Sequence, residues 1–487
     1  MSGPRVRFAP SPTGLFHVGS ARSALFNWFI ARQHPEGVFI LRIEDTDESR
    51  NRQEWEDVII SSMAWLGLDV DEGPTRQSEN ALAHALARDA LLAGGYLYYC
   101  DCRAEDVAAR KGELKTPGYD GFCRERGLAK SATTALRFKC PLEGTLVVHD
   151  LVRGDVEFHL AALEDFVVAK SSGAVLSALA NVVDDRNDRI THVIRGEEHL
   201  SNAPKQILLW EALDVVTDDA LALPIYAHLP LLVNEQRKKL SKRKDPVATE
   251  RYRDEGFLSD AFVNYLALLG WSPRGDQEIV SRATMIDEFR LDDVVASPAF
   301  FDVKKMTAMN GDYLRALSDE DFAEAARPWV APRSSDWRPE LDAPWAPGDF
   351  DEALFARVVP LIKERVARLS DVAAMVRFFF VTPSFLEADL VKVFAPDTVS
   401  LRLLQALAER LRECSWTHEA LHDLTQRTGE EFALALRKAQ APLRYAVTGS
   451  LVGPPLFESM ELLGRSTCLS RVDEAIRSAS VTIGTTP

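Results

Sequence analysis

Two short segments, far apart in the chain, carry side chains suited to a phosphate. In the first, Arg7-Phe8-Ala9-Pro10-Ser11-Pro12-Thr13-Gly14-Leu15-Phe16-His17-Val18-Gly19-Ser20, a β-rich run ends and a Pro/Gly loop follows. A helical pattern then opens with His17 and Gly19 at its mouth. A helix start presents free backbone N–H groups and the positive end of its dipole, which suits an anion. His17 can donate to a phosphate oxygen, and Gly19, lacking a side chain, lets a flat base approach the backbone. By itself a His-x-Gly fits an ordinary strand-to-helix turn as well. In the second segment, residues 237–244, six of eight side chains are basic. Charge runs are usually solvated, but this one follows the last strand of an alternating β/α pattern, whose C-terminal edge is where such folds bind ligands. Cations there would meet the charge that develops on a triphosphate in its transition state. A third group, Cys100-x-Cys102 with Cys123, stands out because the chain has only six cysteines, too few for a disulfide scaffold. Three thiolates and one further N or O donor satisfy tetrahedral zinc; three free thiols are the other reading.

These residues need a framework that brings them together. Strands are expected at Arg5–Phe8, Val38–Ile43, 191–194 and 228–233, and helices from Val18, over Gln53–Leu66, through Val183 and over 204–212. Strand–helix–strand units imply an α/β fold, a doubly wound parallel sheet of Rossmann-like form. Residues 97–173 change character, with short strands around Leu136 and Leu146 and a turn at Arg153-Gly154, and read as an inserted α+β domain. Residues 328–347, with five prolines and three tryptophans, read as a loop or linker. Beyond it the pattern is helical: Leu401, Leu404, Leu407, Ala408 and Leu411 form one apolar stripe, and Phe432, Leu436 and Ala439 another. The expected organisation is 1–96 and 174–240 for the two halves of the α/β domain, 97–173 for the insertion, 241–325 for a further domain, and 326–380 and 381–487 for two helical domains.

The two phosphate-type segments together resemble the class I aminoacyl-tRNA synthetases: His17-Val18-Gly19-Ser20 is similar to their HIGH signature, and Lys239-Leu240-Ser241-Lys242-Arg243 to their KMSKS loop. Leu41-Arg42-Ile43-Glu44-Asp45-Thr46-Asp47, Ala180-Asn181-Val182-Val183-Asp184-Asp185 and Thr191-His192-Val193-Ile194-Arg195-Gly196-Glu197-Glu198 narrow the resemblance to the bacterial glutamyl-tRNA synthetases, over essentially the whole chain. The resemblance implies that glutamate attacks the α-phosphate of ATP, giving glutamyl-adenylate and pyrophosphate, and that the acyl group passes to the terminal adenosine of tRNA. It also implies that activation waits for bound tRNA and that Mg²⁺ accompanies ATP. No protein nucleophile is required, in keeping with the lack of a nucleophile-and-base signature.

Residue by residue, the resemblance assigns His17, Lys239 and Lys242 to catalysis, and Gly19, Leu240, Ser241 and Arg243 with them to ATP. Arg7, Ala9, Ser11 and Glu44 would hold glutamate together with Ser177, Asn181, Arg195 and Glu198. Arg195 matters most, because an arginine offers a planar, permanently charged, bidentate partner for the side-chain carboxylate. Glutaminyl relatives have an uncharged residue there, and end in β-barrels. Read without the resemblance, Arg195 fits a salt bridge to Glu197 or Glu198. Ser177 stands where the family usually has a tyrosine, and this departure supports one alternative, a non-catalytic tRNA-binding paralogue; the intact His17 and Lys242 segments speak against it. The cysteines resemble a zinc site in the acceptor-binding insertion of some relatives, with Tyr119 or Glu125 as fourth ligand. Among the basic residues of the C-terminal helices, Lys363, Arg365 and Arg368 are candidates for the anticodon, with Arg365 near the family position.

Composition sets the outer limits. Of 487 residues, 46% are hydrophobic and 27% charged, which excludes disordered and fibrous classes. No apolar stretch approaches the ~18 residues of a membrane span, so a cytoplasmic location is expected. With 57 basic and 73 acidic residues the net charge is −16, which disfavours whole-surface nucleic-acid binding and leaves room for a local basic groove. The expected partners are tRNA(Glu) and, as a further candidate, tRNA(Gln), acting on a monomer.

Overall fold

The computed structural model describes residues 3–46, 50–111, 118–241, 246–275, 277–338, 343–394 and 398–484. The chain divides into two compact units, 1–253 with 259–306, and 254–258 with 307–487. The first begins with β1 (Arg5–Phe8), α1 (Val18–Arg32), β2 (Val38–Ile43), α2 (Gln53–Leu66), β3 (Glu72–Arg76) and α3 (Ala81–Ala93). Next come β4 (Leu97–Cys100), α4 (Ala104–Lys111), β5 (Ala135–Phe138), β6 (Thr145–Asp150), β7 (Gly154–His159) and β8 (Val167–Ala169). Then follow α5 (Ser177–Asn187), β9 (His192–Gly196), α6 (Ala203–Thr217), β10 (Ile225–Leu229), β11 (Leu232–Val233), α7 (Thr249–Asp254), α8 (Ser259–Ala267), α9 (Arg282–Glu288) and β12 (Ala299–Phe300).

Among the described residues, seven strands form the main sheet in the order β3-β2-β1-β9-β10-β6-β7. All neighbours pair in parallel except β6 and β7, an antiparallel hairpin at one edge. The central strands β1 and β2 are almost continuously buried, as expected where helices cover both faces of a parallel sheet. From β1 the chain crosses to β2 on one side, and β9 later adds on the other. The crevice at such a reversal is where open α/β sheets bind ligands.

The segment expected as an insertion divides between two sheets. Strands β4, β5 and β8 make a small antiparallel sheet, whereas β6 pairs with β10 through Tyr226 and Asp150 and so extends the main one. The strand expected over 228–233 is two strands. Pro230 has no N–H to donate to a ladder, so β10 stops at Leu229 and β11 turns to pair with β12, Leu232 opposite Ala299.

The second unit is helical: α10 (Val303–Ala316), α11 (Asp319–Val330), α12 (Glu352–Ile362), α13 (Val372–Phe380), α14 (Glu387–Phe394), α15 (Thr398–Leu411), α16 (His418–Glu431), α17 (Leu436–Thr448), α18 (Leu456–Leu463) and α19 (Arg465–Thr482). Of the Pro-rich segment, residues 328–330 end α11 and the described residues from 331 to 346 form a loop, pinned where the buried Trp345 indole donates to the Val330 carbonyl at 2.9 Å. The stripe from Leu401 to Leu411 lies on α15 and is buried throughout. Phe432, Leu436 and Ala439 are not one helical stripe. After α16 the backbone turns through Ala433 at φ +56°, and Leu436 begins a new helix.

Candidate active site

A cavity of about 500 Å³ lies at the C-terminal ends of β1 and β9, lined from β1, the loop after it, the start of α1, β9 and the β10–β11 connection. Eleven of the sequence-derived site residues line it: Arg7, Ala9, Ser11, His17, Gly19, Glu44, Asn181, Arg195, Glu198, Lys239 and Leu240. They come from segments more than 200 residues apart, and backbone pairing explains the meeting. His17 bridges Ala248, the Val18 N–H donates to the Val247 carbonyl at 2.8 Å, and the Thr249 N–H donates to the Phe16 carbonyl at 2.9 Å. The chain following the basic run is thereby tied to the mouth of α1. On the near side of that run, Leu240 N–H returns to the Leu232 carbonyl at 3.1 Å, closing a turn that presents Lys239. Lys242, Arg243 and Lys244 lie outside the described residues.

His17 is the N-cap of α1, and its Nδ1 accepts from the Gly19 N–H at 3.0 Å. With Nδ1 occupied as an acceptor, a neutral ring carries its proton on Nε2, the nitrogen able to donate to an anion. The cap thus holds the imidazole by the same bond that sets its tautomer.

The two arginines of the pocket are in opposite electrostatic situations. Arg7 donates from Nε and Nη2 to the two oxygens of Asp185, at 3.0 and 3.2 Å. Arg42, fully buried, donates to the same carboxylate at 2.8 Å and to Asp188 at 3.1 Å. Burial pushes the Asp185 carboxyl up, but Arg7 and Arg42 outweigh it and hold it below the usual range. Arg195, by contrast, donates from Nε to His228 Nε2 at 3.1 Å and from Nη2 to the His199 carbonyl at 3.3 Å, and makes no ion pair among the described residues. Glu197 does not serve it: that carboxylate pairs with Arg153 at 2.9 Å and accepts from the Leu231 N–H at 2.8 Å. Burial pushes the Arg195 guanidinium down to about 10, with the charge of Arg7 adding to the push. It remains a cation at neutral pH, half-buried in the cavity wall and outside any ion pair among the described residues. Glu44 completes the set. Burial raises its carboxyl above the usual range despite Arg42 and Arg7.

Ser177 is not brought to this cavity. It is the first residue of α5 and exposed, while Asn181, one turn on, lines the cavity and accepts from Gln77 Nε2 at 2.8 Å. Several contributors were missed in the sequence. Arg22 lines the cavity from α1, its guanidinium capping the Leu269 and Pro230 carbonyls, and burial pushes it down to about 10. A lone arginine among Ala21, Ala24 and Leu25 on the buried face of a helix was the available signal. His199, His228 and Asp150 were also missed; a histidine inside the apolar run Tyr226-Ala227-His228-Leu229 could have flagged the second of them.

Away from the cavity, the sulfurs of Cys100, Cys102 and Cys123 lie within 4.8 Å of one another. The Tyr119 hydroxyl stands 3.4 Å from Cys100 Sγ and 3.8 Å from Cys102 Sγ, and accepts from the Cys123 N–H at 2.7 Å. Arg110 and Arg126 aim guanidinium N–H groups at the sulfurs of Cys102 and Cys123, at 3.2 and 3.1 Å. Glu125 points away: its side chain is 83% exposed and pairs with Lys139 at 3.6 Å. Three soft donors with a phenol beside them fit tetrahedral zinc, and of the two candidates for the fourth position only Tyr119 is at the cluster.

In the helical unit, Lys363 is engaged by Asp319 at 2.6 Å, and Arg368 by Asp371 at 3.1 Å and Glu255 at 3.4 Å. Arg365 is exposed and forms no ion pair among the described residues. Its charge adds to burial in lowering the Arg444 guanidinium below its usual range.

Comparison with known proteins gives a consistent picture. A family model described as tRNA synthetases class I (E and Q), catalytic domain, matches residues 4–308, and one described as an anticodon binding domain matches residues 321–476. A protein of Frankia casuarinae named Glutamate–tRNA ligase is 51% identical over 473 residues, spanning 97% of each chain. One of the same name from Salinispora arenicola is 50% identical over 477 residues, spanning 97% of this chain and 98% of its own. Among solved structures, a glutamate tRNA ligase from Elizabethkingia meningosepticum in complex with its amino acid is 30% identical, covers 98% of this chain and all of its own, and superposes with a TM-score of 0.80.

Proposed function

The chain belongs to the class I tRNA synthetases for glutamate and glutamine, among the glutamate–tRNA ligases, and from that premise we propose how its residues do the work. The reaction is glutamate + ATP + tRNA → glutamyl-tRNA + AMP + diphosphate. The observation that carries the reading is Arg195, a half-buried cation outside any ion pair among the described residues, in the same cavity as the mouth of α1. Glutamate's side-chain carboxylate is the anion Arg195 lacks. Nε2 of His17 and the basic side chains of Lys239 and, beyond the described residues, Lys242 stabilise charge on the ATP phosphates, while Gly19 leaves room for the adenine. Mg²⁺, when bound with ATP, neutralises further phosphate charge. The amino-acid carboxylate attacks the α-phosphate and pyrophosphate leaves, so the protein supplies position and electrostatics rather than a nucleophile. Ser11, Glu44, Asn181 and Glu198 orient the amino acid, and Arg365 meets the anticodon. The reading includes a cytoplasmic monomer. Among the described residues no helix is long and apolar enough to cross a membrane.

The test is aminoacylation of purified tRNA(Glu) and tRNA(Gln), each offered glutamate and glutamine separately. Glutamate is expected on tRNA(Glu), and no glutamine on either tRNA. Preferential attachment of glutamine would overturn the assignment of Arg195.

The thiolate cluster is proposed as a structural zinc site, with Tyr119 beside Cys100, Cys102 and Cys123. Protein purified without chelators is expected to carry about one zinc per chain, and Cys123→Ser to lose it, since binding at such a site is coupled to folding of the loops that form it. Loss of the metal should impair use of tRNA more than binding of ATP. Metal analysis finding no zinc in the unaltered protein would reject the site.

A further inference from the structure

Arg195 is held by a buried relay that no pocket residue completes. On β10, His228 stands directly across from Arg195 of β9 in the parallel register, and its side chain is fully buried. Its Nδ1 lies 2.6 Å from Asp150 Oδ2, and its Nε2 accepts from Arg195 Nε at 3.1 Å. Asp150 ends β6, in the segment between the two halves of the catalytic sheet. Its Oδ1 accepts from the Val152 N–H at 3.0 Å and the Arg153 N–H at 2.8 Å, and the carboxylate also takes the His228 N–H at 3.1 Å. The chemistry of the ends fixes the middle. A guanidinium can only donate, and a carboxylate so supplied with donors accepts, so the imidazole must be neutral with its proton on Nδ1. No other tautomer serves both neighbours. Taking the Nε hydrogen in this way orients the fork of Arg195, whose Nη1 makes no hydrogen bond among the described residues.

We propose that Asp150 and His228 are positioning residues for glutamate selection: they lock the rotamer of Arg195 so that its guanidinium meets the substrate carboxylate. This rests on the reading of Arg195 as the selecting cation. It also gives the β6–β7 hairpin a role in the amino-acid pocket, which it braces from the edge of the sheet without lining the cavity.

Three variants separate positioning from simple structural support. Asp150→Asn keeps its size and its accepting oxygen toward the loop N–H groups, but presents an amide N–H to Nδ1. The histidine proton then moves to Nε2, against the Arg195 N–H, as expected when the acidic member of such a relay becomes an amide. His228→Asn keeps a donor toward Asp150 and removes the acceptor from Arg195, whereas His228→Gln places a carbonyl oxygen near the position of Nε2. In tRNA-dependent pyrophosphate exchange, Asp150→Asn and His228→Asn are each expected to raise the KM for glutamate on the order of tenfold, the size of one lost hydrogen bond to a charged group. The KM for ATP should stay within about twofold, which separates an amino-acid effect from general damage. His228→Gln should recover most of the loss. In an Arg195→Ala background, Asp150→Asn should add nothing further. Folded Asp150→Asn and His228→Asn enzymes with unchanged glutamate KM would overturn the proposal, and so would an equal rise for both substrates. If Arg195→Ala alone leaves glutamate kinetics intact, the reading of Arg195 fails first, and the relay loses its purpose with it.

Discussion

Arg195→Ala lowers kcat/KM for glutamate by a factor on the order of 10² to 10³, the cost of removing one partner from a buried, hydrogen-bonded charge pair. The expectation comes from how charge is distributed in the pocket. Arg7 is already neutralised by a bidentate contact with Asp185, so it has less to offer an incoming carboxylate. Arg195 is half-buried and, among the described residues, donates only to neutral acceptors, a histidine nitrogen and a carbonyl. Glutamate completes it. Glutamine, with a neutral amide, leaves the guanidinium desolvated and unpaired, and that penalty is the source of selectivity. Truncation removes both the reward for the carboxylate and the penalty against the amide. The ratio of kcat/KM for glutamine to that for glutamate should therefore rise, even though neither substrate is used well. The comparison is made at saturating tRNA, so that a tRNA requirement for activation does not pass for an amino-acid effect. An unchanged ratio would move selection to Arg7.

The second large effect is on stability. Asp185→Ala is expected to destabilise the α/β unit by about 3–5 kcal/mol, because it leaves buried cations uncompensated. Arg7 loses both of its hydrogen bonds to a carboxylate, and fully buried Arg42 keeps only Asp188 at 3.1 Å and Asp184 at 3.9 Å. In a two-unit chain the measurable quantity is the midpoint of the transition that belongs to this unit, expected to fall on the order of 10 °C. Acid should close the gap between the two proteins. Asp185 titrates below its ordinary value in the fold, since its arginine partners outweigh burial. Such a carboxyl contributes stability above the unfolded value of about 4 and loses it as pH falls through the folded value. The difference between Asp185→Ala and the unaltered protein should thus be full near neutral pH and shrink below about pH 4. A difference that is small near neutral pH, or that persists unchanged into acid, would show that Arg7 and Arg42 find other compensation.

Much of this protein was written locally in its sequence. The strand, Pro/Gly loop and helix from Arg5 to Arg32 could be read from residue types alone, because each signal acts within a few positions: an apolar run, a breaker, and a histidine whose ring caps a backbone N–H two residues on. The cysteines were legible for the same reason, being close in sequence and few. Eleven of the residues singled out in the sequence line the cavity, each of them part of a short local segment. Ser177 shows the limit, since its place in a motif did not say that this first residue of α5 faces solvent.

Tertiary structure alone decided which charges cancel. Arg7 meets Asp185 across 178 positions of sequence, Asp150 meets His228 across 78, and His228 meets Arg195 across 33. No periodicity or spacing records such pairs, because they are made when strands and helices from distant segments pack together. Two arginines that look alike in the sequence, each one strand residue among apolar neighbours, thereby become different groups. One is a buried cation paired with a carboxylate, and the other a half-buried one whose hydrogen bonds go to neutral acceptors. The difference is set by burial and by whether a carboxylate lies within hydrogen-bond reach, and both are properties of the folded chain.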